Sequence, residues 1–435
     1  MVKYFPNWTE KRNGVIAPDE RLPIAQTAMM GVQHVIAMFG ATVLGPLLMG
    51  FDPNVAILMS GIGTLLFFVL TRGRVPSYLG SSFAFIASVG VASGYKVASF
   101  TPNANIGVAL GGIIMCGLLY FLIGLLVKAV GTAWVEKLMP PVVTGAIVAV
   151  IGLNLADEAI LAVKSSASDS WYSLMTVVSI AAIAVFTKGM LRRLLILVGL
   201  LAATVLYAVL VNGLGLGIDS GSKVLDFSKV VEAAWFGVPN FSTPEFSWSA
   251  AALIAPVAII LVAENLGHLR AVSAMTGHDM NPQMGNAFMA DGLATMLSGS
   301  VGGTGVTTYA ENIGVMAVTK IYSTLAFVFA ALFAIFLGFS PKMGSLIGVI
   351  PAPVLAGVSV IVFGLIAISG VKIWVDNRVD FSKNHNLLVA AATVILGTND
   401  FTVTFGGFAL GGIGVATFGA MLLYALLRRG AKNDL

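Results

Sequence analysis

Three carboxylic acids lie where the sequence leaves almost no room for water. Glu264 in ILVAENLGHL, Asp291 in FMADGLATML and Glu311 in TTYAENIGV are each embedded in an apolar run. An ionised group at the centre of a bilayer costs roughly 2.5–3.5 kcal/mol on insertion scales, so it normally faces a polar cavity, pairs, or exchanges a proton. A desolvated carboxyl holds its proton more readily than one in water, which makes proton carriage the first chemistry to expect. His268 stands four residues after Glu264 and so shares its helix face. The pair reads as a hydrogen-bonded proton site, or as a structural pair that holds the helix in register. Glu311 follows Tyr309 beside GSVGGTGVTTYAENIG, a polar break where free backbone N–H and C=O groups stand available to a ligand. A carboxylate that accepts N–H, backbone amides that serve carbonyls and an aromatic face together suit a planar heterocycle. Phe83, in the matching polar stretch VPSYLGSSFAF, would supply a second wall. Asp291 reads equally as a cavity-lining acid or as an acceptor for broken-helix backbone. Gln33 and His34 read as interhelical hydrogen-bonding groups in preference to ligand contacts.

Other chemistries find no support. The four histidines are dispersed and no HxxxH or CxxC spacing occurs, so no metal site is expected. No GxxxxGK[ST] stretch points to ATP, no cofactor is implied, and Ser81 and Ser82 have no evident basic partner that would make either an enzymatic nucleophile. The single Cys116 lies inside an apolar run. The 24 Lys and Arg are scattered between apolar runs without a dense cluster, which argues against a nucleic-acid partner.

The elements that must position these residues are membrane helices. Of 435 residues, 57% are hydrophobic and 10% charged, against roughly 45–50% and 25% in a soluble domain. The apolar runs are continuous, unlike the alternating segments of a barrel. The expected fold is an all-α polytopic membrane protein. Apolar runs bounded by charges, Pro and Gly predict fourteen spans, near 24–50, 53–71, 77–93, 106–128, 140–163, 171–187, 191–213, 248–269, 284–301, 305–319, 322–339, 348–369, 385–403 and 407–428. No cleavable signal peptide is evident ahead of the first, which is expected to stay. With both termini inside, nineteen Lys and Arg fall on the inner side and five on the outer, so both termini are expected in the cytoplasm.

The halves resemble each other. PVVTGAIVAVIGL from Pro141 and PVLAGVSVIVFGL from Pro353 share seven of thirteen positions. SGIGTLL from Ser60 resembles DGLATML from Asp291, and SSFA from Ser81 resembles TTYA from Thr307, in the same order along the chain. Units with an odd number of spans must sit inverted relative to each other, so a 7+7 inverted repeat is expected. Such repeats place a substrate site near the midplane, at broken helices. Spans three and ten are the ones rich in Gly, Ser and Thr.

These residues resemble the nucleobase and ascorbate permeases, also called the uracil and xanthine permease family, over nearly the whole chain. ENIGVMAVTK from Glu311 fits the family signature at every position, and the Gln33–His34 pair is present. AENLGH in span eight, GSSFAF in span three and APDERLP near the start resemble the uracil branch. The resemblance implies tails at 1–23 and 429–435. It implies a core domain from 24–139 and 248–340, and a gate domain from 140–247 and 341–428. It also implies short antiparallel strands interrupting spans three and ten. It implies that Glu264 and Glu311 hydrogen-bond a pyrimidine, that Phe83 and Ala310 offer backbone groups, and that Tyr309 and Ala41 shape the pocket. His268, with Glu264 and Asp291, would carry proton coupling. Proton-coupled uracil import across a bacterial inner membrane by a homodimer is the implied activity, with thymine as a second candidate. A xanthine or urate permease, or an inorganic-anion exchanger of the same fold, is the alternative. Three positions depart from the uracil symporters: Ala310 replaces Gly, Asp291 replaces Asn and Phe363 replaces Tyr.

Overall fold

The computed structural model describes residues 4–164, 167–399, 401–405 and 408–430. The chain is mostly helical. After two short strands, β1 (Thr9–Glu10) and β2 (Glu20–Arg21), come α1 (Ile24–Met49), α2 (Pro53–Leu70), β3 (Leu79–Ser81), α3 (Ile86–Ser93) and α4 (Ile106–Val130). The short α5 (Ala133–Leu138) leads to α6 (Pro141–Asn154), α7 (Ala156–Val163), α8 (Ala167–Phe186), α9 (Met190–Arg193) and α10 (Leu195–Ala208). A long connection holding α11 (Ser228–Glu232) precedes α12 (Trp248–Ile254), α13 (Val257–Thr276), α14 (Met284–Val301), β4 (Val306–Thr308), α15 (Ala310–Thr319) and α16 (Thr324–Gly338). Then follow α17 (Pro341–Gly348), α18 (Ala352–Asp376), α19 (Asn384–Thr398), the hairpin β5 (Val403–Phe405) and β6 (Phe408–Leu410), and α20 (Gly412–Gly430).

Among the described residues, eight helices are long and apolar enough to cross a membrane, counting α6 with α7 and α12 with α13 as continuous. Of the other expected spans, α14 is an unbroken helix of 18 residues that is less apolar, and the rest are broken or short. Helix α16 and α17 meet at a 77° bend, and Phe83–Ser93 and Gly412–Arg428 are apolar but shorter. Local chemistry explains the breaks. The residue before a proline avoids helical backbone, and Ser340 before Pro341 is extended (φ -108°, ψ 99°); Pro256, which has no N–H to give, stands between α12 and α13, and Pro351 at the start of α18. Helix α1 ends at Gly50 in the left-handed region (φ 72°), and α2 restarts where the Asp52 side chain accepts the Asn54 N–H at 2.7 Å.

Helix packing falls in two sets. Helices α1, α2, α4, α12, α14 and α16 pack with one another, as do α6, α8, α10, α18, α19 and α20. The tightest pair in each set is closed by glycine. A Cβ on Gly117 of α4 would sit 2.7 Å from the Gly292 carbonyl of α14, and one on Gly152 of α6 would strike the Phe363 carbonyl of α18. Without side chains at these points the backbones come close enough for dispersion and Cα–H contacts to hold helices that gain no hydrophobic drive from lipid. The chain before α1 is folded back onto the ends of α15 and α16. Ile16 is 1% exposed, donates its N–H to Lys320 O at 3.0 Å and accepts the Tyr322 N–H at 2.8 Å.

Candidate functional site

The two polar stretches meet each other. Strands β3 and β4 pair antiparallel, with Leu79 opposite Thr308, Gly80 opposite Thr307 and Ser81 opposite Val306. Gly302 (φ 101°) and the following glycines end α14, and the β-branched Val306, Thr307 and Thr308 favour extended backbone. A two-stranded sheet inside a membrane leaves two edges unsatisfied. Hydroxyls from neighbouring helices satisfy them. Thr64 of α2 accepts the Leu79 N–H at 2.9 Å, and Thr295 of α14 accepts the Val306 N–H at 3.2 Å. These two threonines occupy the same position in the matching stretches SGIGTLL and DGLATML.

Each strand leads into a helix start. Ser82 caps a 3₁₀ turn at Phe83–Phe85 by accepting the Ala84 N–H at 3.3 Å, and β4 leads through Tyr309 into α15. The first N–H groups of α15, from Ala310 and Glu311, lie outside its backbone hydrogen-bond ladder and carry the positive end of its dipole. Both starts open on one cavity of about 400 Å³. Phe83, Glu264, His268, Tyr309, Ala310 and Glu311 line it. The opposite wall is largely apolar, with Val148, Ile151, Ile196, Val362, Ile366 and Ile373, relieved by Thr144 and Ser369. Glu264 of α13 and Glu311 of α15 face the same cavity.

Tyr309 is held rather than free to move. Its hydroxyl donates to Ser81 O at 2.7 Å and accepts from Thr42 Oγ1 at 3.2 Å. His268 Nδ1 lies 2.9 Å from Thr308 Oγ1. Asn312 bonds His34 across two helices, to its carbonyl at 3.0 Å and its Nδ1 at 3.1 Å. Gln33 Nε2 reaches Met190 Sδ at 3.5 Å. Both residues of that pair therefore serve interhelical contacts.

Two of the expected site residues, Ala41 and Asp291, do not line this cavity. Ala41 is 2% exposed. Phe363 is also outside the cavity wall, and it lines a smaller space of about 140 Å³ between α18 and α6. Asp291 is fully buried behind the wall, where Asn265 Nδ2 donates to its Oδ2 and Tyr120 Oη approaches the same atom at 3.3 Å. Asn265, Thr308 and Tyr120 were not singled out from the sequence. The repeat match that aligns SSFA with TTYA carried the signal for Thr308, and AENLGH holds Asn265 between Glu264 and His268. No cluster of three or more His, Cys, Asp or Glu able to hold a metal occurs among the described residues.

Known proteins are similar to this chain. The chain is 64% identical over 429 residues to the RutG pyrimidine permease of Escherichia coli K12, covering 98% of this chain and 96% of that one. It is 40% identical over 425 residues to a uracil permease of Paenibacillus larvae, covering 95% and 96%. In fold it is similar to the transmembrane domain of the cyanobacterial bicarbonate transporter BicA, with a TM-score of 0.63 and 15% identity over 93% of this chain and 98% of that one. Residues 25–406 match the Permease family, Xan_ur_permease. The chain is a multi-pass membrane permease and belongs to this family of nucleobase transporters.

Proposed function

We propose that the chain imports uracil together with protons, by alternating access of a core domain and a gate domain around this cavity. The observation that carries the reading is the meeting of Glu264 and Glu311 with two helix starts in one cavity. Carboxylates accept the ring N–H groups of a pyrimidine, and the N–H groups at the start of α15 are suited to its carbonyls. Phe83 and Tyr309 offer ring faces. An anion would meet two carboxyls, which disfavours an inorganic-anion exchanger despite the fold it shares with BicA.

Proton coupling rests on Glu264, Glu311 and His268 sharing the cavity. A proton taken from outside neutralises a carboxyl, the substrate binds, the core moves, and loss of the proton inside releases the cargo. Fourteen spans in two inverted sets of seven, with core 24–139 and 248–340 and gate 140–247 and 341–428, fit the two packing sets. The inner placement of both termini rests on the charge pattern. On that orientation Thr144, Ile196, Ser369 and Ile373 lie toward the cytoplasmic ends of their helices, so the cavity opens inward. A homodimer through the gate helices in a bacterial inner membrane completes the reading. Binding of labelled uracil by purified protein, competed by thymine, xanthine, urate and bicarbonate, tests the substrate. Competition by pyrimidines alone supports the proposal, and competition by xanthine or bicarbonate overturns it.

A further inference from the structure

We propose that Asp291 acts from behind the cavity wall, through Asn265 and Thr308, to fix the proton of neutral His268 on Nδ1 and leave Nε2 bare toward the cavity. The chain of bonds is one-directional. Asp291 Oδ2 lies against Asn265 Nδ2, which also donates to Tyr120 Oη at 2.9 Å. Both hydrogens of the Asn265 amide are thereby used. With Asp291 ionised, a flipped amide would set two oxygens against each other, so the carboxylate dictates the amide's orientation. Asn265 Oδ1 consequently faces Thr308 and accepts its hydroxyl hydrogen at 3.1 Å. A hydroxyl has one hydrogen. Toward His268 Nδ1, at 2.9 Å, Thr308 can offer only a lone pair, and the ring must donate there.

Nε2 then remains as an acceptor. The ring's bond to the Thr308 hydroxyl is made through Nδ1, and His268 lines the cavity. The tautomer of a histidine is set by the bond its other nitrogen makes, and here that bond is set three residues away from the ring. Asp291, Asn265 and Thr308 are positioning residues, since Asp291 and Asn265 are fully buried and do not line the cavity. The groups able to exchange a proton near His268 are Glu264 on its own helix, Glu311 and Tyr309 from the α15 side, and Asp291 and Tyr120 behind the wall; the gate residues lining the cavity are uncharged. Arg270, further along α13, is exposed and paired with Glu136 of α5. A bare Nε2 among two carboxyls is a ready proton acceptor, and this consequence rests on the symport reading; the tautomer itself does not.

The test is ¹⁵N magnetic resonance of the full chain in lipid nanodiscs, with the His268 signals identified by their loss in His268→Gln. Wild-type protein is expected to show Nδ1 protonated and Nε2 bare at a pH where the ring is neutral. Asp291→Leu and Thr308→Val should shift the ring toward the Nε2–H form, while Thr308→Ser and Asp291→Asn, which keep a hydroxyl and an acceptor oxygen, should restore the wild-type signature. A wild-type ring protonated on Nε2 overturns the proposal even if a variant fails to fold, and so does an unchanged signature in a folded Asp291→Leu protein. The readout needs no transport. A correct tautomer with uptake indifferent to protons would sink the symport reading and leave the relay standing.

Discussion

Tyr309 donates its hydroxyl to the backbone carbonyl of Ser81 at 2.7 Å. This single bond ties the break in the second half of the chain to the break in the first, and it fixes an aromatic face on the cavity wall. A Tyr309→Phe protein keeps the ring and leaves the buried carbonyl of Ser81 without that donor. An unmet buried partner costs about 1–3 kcal/mol. The melting temperature of the purified protein should fall, and uracil affinity should fall several-fold as the ring loosens. An unchanged melting temperature would show that the bond does not form.

The carboxyls of Glu264 and Glu311 are expected to act differently from a packing pair. Glu311→Ala and Glu264→Ala should each weaken uracil binding at least tenfold, because each removes an acceptor for a ring N–H, and a charge-assisted hydrogen bond contributes about 1.5–3 kcal/mol. Isothermal titration or scintillation proximity binding reads this directly. Wild-type affinity in both variants would remove the basis for placing the substrate here.

Close helix approach at Gly117 and Gly292 predicts a folding defect without a change in the site. Gly292→Leu places a side chain against the Phe121 backbone and the Gly117 carbonyl of α4, where even a Cβ has no room. Overpacking of this kind costs about 1–3 kcal/mol or more. The variant should be recovered in the membrane at a fraction of the wild-type level, whereas Gly364→Ala, with nothing within 4 Å of the added carbon, should be recovered normally. Equal recovery of Gly292→Leu would contradict the packing described.

The folded segment before α1 should loosen in acid. Glu20 accepts the Ala17 N–H at 2.9 Å and bonds Lys11, and these hold its carboxyl below the ordinary value of 4.5. A group depressed in the folded state contributes stability that is fully present above the unfolded value and is lost as pH falls through the folded one. Amide hydrogen exchange across residues 9–21, corrected for the intrinsic rate, should therefore accelerate below about pH 4.5. Glu20→Gln should show the acid behaviour at neutral pH. Identical protection in the two proteins would contradict the assignment.

Much of this was legible in the sequence, and the reasons differ by residue. Glu264, His268 and Glu311 stood out because charge inside an apolar run requires a cavity, and all three line one. The matching stretches SSFA and TTYA fell on β3, β4 and the helix starts that follow them. Ala41 rests on the resemblance alone and does not line the cavity: its side chain has no polar atom whose needs would reveal where it points. Asp291 was left open between two roles, since sequence spacing cannot tell a wall from the layer behind it. Asn265 and Thr308 escaped notice because neutral polar side chains are common on helices and strands, and their importance lies in the direction of their hydrogen bonds. The number of spans was read from hydropathy, which does not show where a helix bends, as at the 77° turn between α16 and α17.

The most direct test of the account is uptake of labelled uracil into proteoliposomes holding the purified chain, with and without an imposed inward proton gradient. The account predicts accumulation above equilibrium only with the gradient, abolished by collapsing it and absent in Glu311→Ala. Uptake that equilibrates equally with or without the gradient, or that continues at the wild-type rate in Glu311→Ala, would contradict proton-coupled import at this site.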